Sequence, residues 1–281
     1  MASTALVLGG GGPVGGAWMT GVLAGLTDAG VEATRADVVI GTSAGAIFGS
    51  RLLTGEPARE LFERQLAGAD RVDLGVSLAR TLRYLWAALG SRDPERSVRR
   101  LGRAALKART VPESEVFPVL DPLLRGVRRW PERTLRITAV DALSGQLTAF
   151  DAESGVALLE AVVASCAVPV IWPPITLAGR RWMDGGSRST ANIHLARGHH
   201  HVLAIAPIDA AVGPHASAKE QAAALAAEGA HVTLVTPDAA ARRAMGRDMT
   251  ADARRPAAAR AGHAQATALA ASVHPVWRAE Q

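Results

Sequence analysis

The chain has 281 residues, of which 48% are hydrophobic and 20% are charged, and its formal net charge is +5. This balance is typical of a globular protein with one large core, or at most two modest ones, and argues against global disorder. The single cysteine, Cys166, excludes an intramolecular disulfide. The N-terminus shows no signal peptide and no apolar run is long enough to span a bilayer, so we expect a cytoplasmic protein.

The positive charge is concentrated between Arg71 and Arg109, where ten Lys or Arg residues and three Asp or Glu residues give a local balance of +7. Basic segments of this kind attract anionic phosphate groups. We therefore expect residues 71–109 to make peripheral contact with an anionic membrane surface. No nucleic-acid-binding motif accompanies the charge, and charge alone gives only non-specific affinity, so we expect no specific nucleic acid partner.

The first elements of the chain predict a parallel sheet. The apolar run Thr4–Leu8 predicts a buried strand, and a glycine loop and a helix that ends near Ala29 follow it. The stretch "ADVVIG" predicts a second strand, and Ala44–Leu53 predicts a second helix. Strands and helices in this order need crossover connections. We therefore expect an α/β fold in three layers, with helices on both faces of a mostly parallel sheet.

A helical insertion is predicted over roughly residues 55–130, where strand patterns are absent and apolar residues recur at helical spacing. The apolar residues form two stripes, Leu78, Leu82, Leu85 and Leu89, and then Val98, Leu101 and Ala105. We expect these helices to pack over the sheet and not to form a separate domain.

The remainder of the chain returns to alternating strands and helices. The predicted strands are "LRITAVD", "QLTAFD", "VIWPPITLAG", "RRWMD", "HVLAIAP" and "HVTLVTP". Helices are predicted over Val156–Ala164 and Ala216–Glu228. An Ala/Arg-rich tail over roughly residues 238–281 is predicted to be helical and broken at Pro256. We expect a single domain over residues 1–281.

A glycine-rich loop follows the first strand and contains the pattern G-x-G-x-x-G at Gly10, Gly12 and Gly15. In a dinucleotide-binding fold this loop is accompanied by an acidic residue at the end of the second strand, about 20 positions further on. Here the nearest acids, Glu32 and Asp37, precede the second strand. The loop therefore lacks the partner that a nucleotide site requires.

The second strand runs into the pentapeptide "GTSAG", residues Gly41 to Gly45. In G-x-S-x-G the flanking glycines leave room for a sharp strand-to-helix turn that exposes the hydroxyl of the central serine, here Ser43. The amide of Ala44 then faces the point where an acyl carbonyl would develop negative charge. The glycine loop beside this turn would supply further amides to an oxyanion hole.

A third motif, "RRWMDGG", places an acid, Asp184, at the end of a predicted strand and follows it with two glycines, Gly185 and Gly186. These glycines let the chain turn closely around the carboxylate. Taken together and in this order, Gly9–Gly16, Gly41–Gly45 and Asp184–Gly186 resemble the patatin-like phospholipases, with a likeness that extends over roughly Thr4 to Pro237.

The resemblance implies a Ser-Asp dyad that hydrolyses acyl esters of lipids without a metal or a cofactor. It implies Ser43 as the nucleophile, Asp184 as the base, and the loop of Gly10, Gly11 and Gly12 as the oxyanion donors together with Ala44. The stretch "SCAVP", which begins at Ser165, also resembles the small residues that precede the strand of the dyad acid in this family. A lipid or another acyl ester is the expected substrate.

The dyad is expected to act without histidine. His194 follows Asp184 by only ten residues, in a stretch that is predicted to be a helix leading away from the strand end. The family's loop usually carries Arg or Lys between its glycines, whereas residues 13–16 supply none. This departure leaves open a catalytically weak or silent lipid-binding protein. A nucleotide-binding regulator that uses the glycine loop is the other alternative.

Overall fold

The computed structural model describes residues 3–71, 90–273 and 275–277. They contain an eight-stranded sheet with the order β5-β6-β3-β2-β1-β7-β8, and β4 pairs with β3 outside this path. The strands are β1 (Thr4–Leu8), β2 (Val38–Gly41), β3 (Thr134–Asp141), β4 (Leu147–Phe150), β5 (Ile175–Leu177), β6 (Arg180–Asp184), β7 (His201–Ile205) and β8 (His231–Val235).

The centre of the sheet is parallel, and one edge is antiparallel. Strand β1 pairs in parallel with β2 and β7, and the parallel pairing continues to β3 on one side and to β8 on the other. Strands β4 and β6 run antiparallel to β3, and β5 runs antiparallel to β6. The carboxyl ends of β1 and β2 therefore lie side by side, and each is followed by a glycine-containing turn. The predicted mostly parallel sheet is confirmed.

Helices cover both faces of the sheet, as predicted. They are α1 (Gly12–Asp28), α2 (Ala44–Leu53), α3 (Ala58–Leu66), α4 (Pro94–Leu106), α5 (Val116–Leu120), α6 (Leu158–Ser165), α7 (Ala218–Ala227), α8 (Ala239–Met245) and α9 (Arg255–Leu269). Leu6 and Leu8 of β1 pack with α1 and α2, whereas Val7 packs in a second cluster with α7. Both faces of β1 are therefore buried, which explains its continuous apolar run.

The described part of the predicted insertion contains the helices α3, α4 and α5, joined by turns and loops, and no strand. Helix α4 buries Val98, Leu101 and Ala105, and Val98 packs against Val140 of β3 and Met183 of β6. The leucine stripe from residue 78 to residue 89 lies outside the described residues. Within the described ranges, no helix is both long and apolar enough to cross a membrane.

Two predicted elements need correction. The stretch "VIWPPITLAG" is a strand only over Ile175–Leu177, because the prolines at 173 and 174 lack the N–H groups that a strand pairing needs. Pro256 does not break the tail helix but lies in the first turn of α9, where its missing N–H is tolerated. The break comes earlier, where α8 ends at Met245.

Candidate active site

Ser43 occupies a sharp turn between β2 and α2. Its backbone has φ 54° and ψ −116°, a positive-φ conformation that serine rarely adopts and that costs about 1–3 kcal/mol. A Cβ atom at Gly45 would overlap the carbonyl oxygen of Leu8, and one at Gly41 would lie 2.7 Å from Cα of Ala46. Both flanking positions therefore require glycine for α2 to start this close to β1 and β2.

The glycine loop lies directly against this turn. A Cβ atom at Gly10 would lie 3.3 Å from Cβ of Ser43, so the absence of a side chain there brings the loop backbone close to the serine. Helix α1 begins at Gly12, and α2 begins at Ala44. The positive ends of two helix dipoles thus lie on either side of Ser43, and neither helix has an acidic residue in its first turn.

Three backbone amides in this region have no acceptor among the described residues: those of Gly11, Gly12 and Ala44. The amide of Gly10, which the sequence also suggested as a donor, is already engaged, because it donates to the carbonyl oxygen of Thr190 at 2.7 Å. Gly10 therefore provides close approach to Ser43, and its N–H group is not available to a substrate. Unengaged amides at helix N-termini can stabilise an oxygen anion.

Asp184 ends β6 and is 6% exposed. Its backbone N–H donates to the carbonyl oxygen of Ala167 at 2.9 Å, and its Oδ1 accepts the N–H of Gly186 at 2.6 Å. A Cβ atom at Gly185 would overlap Oγ1 of Thr138. The two glycines therefore hold the turn tightly against β3 and supply one donor to the carboxylate.

Ser43 and Asp184 come together at this end of the sheet. Burial raises the pKa of Asp184 to about 7, and the Gly186 amide and the neighbouring Ser43 hydroxyl lower it in part. The thiol of Cys166 lies beside both groups, and its own pKa is raised by burial and by the charge of Asp184. A serine hydroxyl thus faces a buried carboxylate whose pKa is near neutrality.

A buried polar network connects the turn at Ser43 to the turn after Asp184. Nδ2 of Asn192 donates to Oγ1 of Thr42 at 3.0 Å and to the carbonyl oxygen of Gly185 at 3.2 Å. The hydroxyls of Thr42 and Thr138 lie 2.8 Å apart. Asn192 is fully buried and has φ 53°, a left-handed conformation that asparagine tolerates well. One side chain therefore fixes both turns relative to β3.

No histidine contacts Ser43 or Asp184 in the part of the chain that the structure describes. Nδ1 of His194 lies 3.1 Å from Oε1 of Gln221. His194 lines a cavity of about 560 Å³ that includes neither Ser43 nor Asp184 in its walls. The predicted helix around His194 is wrong, since only a short 3₁₀ turn, Ile193–Ala196, forms there.

Several residues at the site were not predicted from the sequence motifs. Asn192 has no motif of its own, and its left-handed backbone is invisible in the sequence. Ser165 and Cys166 belong to the quoted stretch "SCAVP", but nothing in that stretch indicated that Oγ of Ser165 accepts the N–H of Ser43 at 2.8 Å. Such long-range contacts follow from the packing of α6 next to β6 and not from local spacing.

Comparisons with known proteins agree with this architecture. The family model of the patatin-like phospholipases matches residues 6–197, and no curated protein matches the chain. VipD from Legionella pneumophila has a similar structure, with a TM-score of 0.50 and 13% identity, over 98% of this chain and 68% of VipD. The type III effector protein ExoU matches with a TM-score of 0.41 and 16% identity, over 96% of this chain and 53% of ExoU.

At this low identity the likeness to VipD shows the fold alone. The family match extends over more than half of the chain, from β1 to the 3₁₀ turn that follows Asp184. It therefore includes the glycine loop, the turn at Ser43 and the turn after Asp184. Members of this family are lipid acyl hydrolases. The chain belongs to the patatin-like phospholipase family.

Proposed function

We propose that this chain is a serine acyl hydrolase of lipid esters in which Ser43 is the nucleophile and Asp184 is the base. The observation that carries the proposal is the position of the Ser43 hydroxyl beside the buried Asp184 carboxyl, whose pKa it lowers, next to three unengaged amides. The strained backbone of Ser43 supports it further, because such strain persists at sites where function requires it.

The proposed reaction proceeds in two halves. Oγ of Ser43 attacks the ester carbonyl carbon while Asp184 takes the hydroxyl proton, and the amides of Gly11, Gly12 and Ala44 stabilise the resulting oxyanion. The intermediate collapses, the leaving alcohol receives the proton from Asp184, and an acyl-serine remains. Water then attacks the acyl-serine, Asp184 takes a proton from that water, and Ser43 regains a proton when the carboxylic acid leaves.

The environment of Asp184 suits a base of this kind. A general base works best when its pKa is near the working pH, since it must be ionised at the start and still bind a proton firmly. The pKa of Asp184 is raised to about 7 by burial, whereas an exposed aspartate would be too weak a base. The oxyanion donors in this proposal are backbone amides alone, which accounts for a loop without Arg or Lys.

We also propose that the chain contacts anionic membranes through α4. Arg96, Arg99, Arg103 and Lys107 are exposed, and their spacing of three or four residues places them on one helix face. None of the four forms an ion pair with another described residue. The opposite face of α4 is buried on the sheet by Val98. The charges are therefore available to lipid phosphates.

Two alternatives make different predictions from the dyad mechanism. A silent lipid-binding protein would bind vesicles but hydrolyse no ester. A nucleotide-binding regulator would be stabilised against heat by a dinucleotide. Two observations argue against this alternative: no acid follows β2, and the Gly10 amide already donates to the carbonyl oxygen of Thr190.

Hydrolysis assays test the proposed function directly. The wild type is expected to release fatty acid from phospholipid vesicles and from a soluble short-chain ester, and Ser43→Ala and Asp184→Asn are expected to lose ~10³-fold or more in kcat. As controls, His194→Ala and a variant with His199, His200 and His201 replaced by Ala should retain most turnover. An inactive wild type, or inactivity of a folded histidine variant, would overturn the dyad mechanism.

A further inference from the structure

The end of helix α6 contacts both members of the proposed dyad through three successive residues. Oγ of Ser165 accepts the backbone N–H of Ser43 at 2.8 Å, and the carbonyl oxygen of Ala167 accepts the backbone N–H of Asp184 at 2.9 Å. Between them, the buried thiol of Cys166 lies near both dyad side chains, and the charge of Asp184 raises its pKa. A single short segment therefore fixes the backbone of the serine relative to the backbone of the aspartate.

The contact from Ser165 bears on the strained residue itself. The carbonyl oxygen of Ser43 accepts the N–H groups of Ala46 at 2.9 Å and of Ile47 at 3.3 Å. Its N–H group, on the other side, has Ser165 as its acceptor. The first turn of α2 thus holds the peptide group after Ser43. The peptide group before it is held on its N–H side by Ser165 and on its carbonyl side by the N–H of Gly45 at 2.8 Å. Strained conformations persist only where surrounding contacts determine them in this way.

Ser165 is fully buried, and its Oγ accepts the N–H of Ser43. We propose that Ser165 is a positioning residue that holds the Ser43 hydroxyl in line with the Asp184 carboxylate. This inference rests on the proposed function, since a position relative to Asp184 matters only if the pair reacts. In this role the Ser165 hydroxyl acts through Ser43 and does not itself contact the substrate.

The role predicts effects on turnover and not on substrate binding. Without an acceptor for its N–H group, the Thr42–Ser43 peptide is held only through the carbonyl oxygen of Thr42, which accepts the N–H of Gly45 at 2.8 Å. The peptide can then tilt about this contact, and Oγ of Ser43 moves away from Asp184. Misplacement of a reacting group by about 1 Å costs up to ~100-fold in rate. The same movement weakens the effect by which the Ser43 hydroxyl lowers the pKa of Asp184, so the acid limb of the pH profile should move to higher pH.

The test compares Ser165→Ala, Ser165→Val and Ser165→Thr with the wild type on a soluble ester. Ala and Val remove the acceptor, whereas Thr keeps it. Thr adds one methyl group to serine, and Val adds the same group and replaces the hydroxyl by a second methyl. The two variants are nearly equal in size, so their difference isolates the hydroxyl from the packing cost. We expect Ala and Val to lower kcat by ~10- to 100-fold with KM nearly unchanged, and Thr to restore most of the loss.

Ser50→Ala is the matched control. Ser50 is also fully buried, and its hydroxyl donates to the carbonyl oxygen of Ala46 at 2.7 Å within α2. It should leave kcat and the pH profile unchanged, whatever it does to the thermal midpoint.

Two results would overturn the positioning role while the proposed function stands. One is that Ser165→Ala has the same turnover and pH profile as Ser50→Ala. The other is that Ser165→Val and Ser165→Thr have equal kcat. A wild type that hydrolyses no ester and does not react with a fluorophosphonate would overturn both.

Discussion

The carboxyl group of Asp184 combines burial with a nearby nucleophile. Burial raises its pKa to about 7, and this rise is larger than the opposing effects of the Gly186 amide and the Ser43 hydroxyl. The proposed base must be ionised to take a proton from Ser43. Its ionised fraction, and with it the rate, therefore increases as the pH rises through the pKa of the folded protein.

We expect kcat/KM on a soluble ester to rise with a midpoint near pH 7, given by the pKa of about 7 for Asp184, and to level off above it. The measurement is a pH–rate profile of the wild type. Asp141→Asn is the matched control, because Asp141 is a second buried carboxylate at a strand end, 4% exposed and without contact to Ser43. A wild-type midpoint near the ordinary aspartate value would contradict the assignment of Asp184 as a buried base.

Because Asp184 is buried, its ionisation at high pH is expected to lower the free energy of unfolding of the protein. The unfolded carboxyl titrates near 3.8 and the folded carboxyl near 7, so the folded protein holds an extra proton between these values. Its contribution to stability is fully present below the lower value and is lost as the pH rises through the upper one. Asparagine cannot ionise, and its Oδ1 can still accept the Gly186 amide.

Asp184→Asn should therefore unfold at a higher temperature than the wild type at pH 8, and the difference should shrink towards pH 5. The expected change is about 1.4 kcal/mol for each pH unit crossed below the folded pKa of about 7, with no further change above it. Thermal melts across this range measure it. A difference in melting temperature that is independent of pH would show that Asp184 ionises without cost in the folded protein.

Some residues of the candidate site could be predicted from sequence motifs, and others could not. Ser43 and Asp184 stand in motifs whose spacing follows from a tight turn, and the structure brings the two side chains together. Ser165 and Asn192 contribute through contacts over 122 and 150 residues of sequence. Local spacing carries no information about such distant neighbours. The engaged amide of Gly10 escaped prediction for the same reason, since its acceptor belongs to Thr190.

At the scale of elements, helix α4 has one face that packs on the sheet and another that is basic and exposed. Val98 and its neighbours bury one face against β3 and β6, and Arg188, four residues after Asp184, forms an ion pair with Glu95 in the first turn at 2.7 Å. The helix is thereby anchored beside the turn that carries the proposed base.

Replacing Arg96, Arg99, Arg103 and Lys107 by Gln should weaken binding to vesicles that contain phosphatidylglycerol by ~100-fold or more at low salt. Each basic residue near an anionic surface adds about 1 kcal/mol, and salt screens the effect. Binding to vesicles of phosphatidylcholine alone should change little, and soluble-ester turnover should be retained. Vesicle co-sedimentation measures the affinity.

A matched control replaces three arginines and one lysine elsewhere on the surface, so that the net charge changes equally. The exposed residues Arg243, Arg247, Arg260 and Lys219 serve this purpose. If this control weakens binding as much as the α4 variant does, net charge and not the basic face governs attachment, and the proposed contact is wrong.

Most elements were predictable because their apolar patterns match their burial. Strand β1 and helix α2 have the predicted bounds, Thr4–Leu8 and Ala44–Leu53. The stretch before β5 was misassigned, because its apolar residues are buried but its prolines prevent strand pairing. Hydrophobicity alone therefore indicated burial correctly there, and the backbone chemistry decided the conformation.

At the scale of the whole molecule, the tail belongs to the core. A Cβ atom at Gly262 of α9 would overlap the carbonyl oxygen of Trp18, and one at Gly21 of α1 would overlap that of Ala259. The two helices therefore pack backbone against backbone. Composition indicated only a helical tail, since small residues gave no clue to which helix they would meet. This contact supports our proposal that residues 1–281 form a single domain.

Gly262→Val should destabilise the entire protein, because the valine side chain separates α1 from α9. Overpacking of a close contact costs about 1–3 kcal/mol, or more when backbone must move. Ala264→Val on the exposed face of the same helix is the control for β-branching and should cost much less. Chemical denaturation measures both. A single transition that shifts only for Gly262→Val supports one cooperative domain; a second, independent transition would contradict it.

The central claim, that Ser43 is activated by Asp184, is tested most directly by covalent labelling. The protein is incubated with an alkyl fluorophosphonate, and the modified peptide is identified by mass spectrometry. In the wild type we expect one adduct, on Ser43, and in Ser43→Ala we expect none. In folded Asp184→Asn the labelling rate should be ~10³-fold lower than in the wild type. No adduct on the wild type, an adduct on another residue, or an unchanged labelling rate in Asp184→Asn would contradict the account.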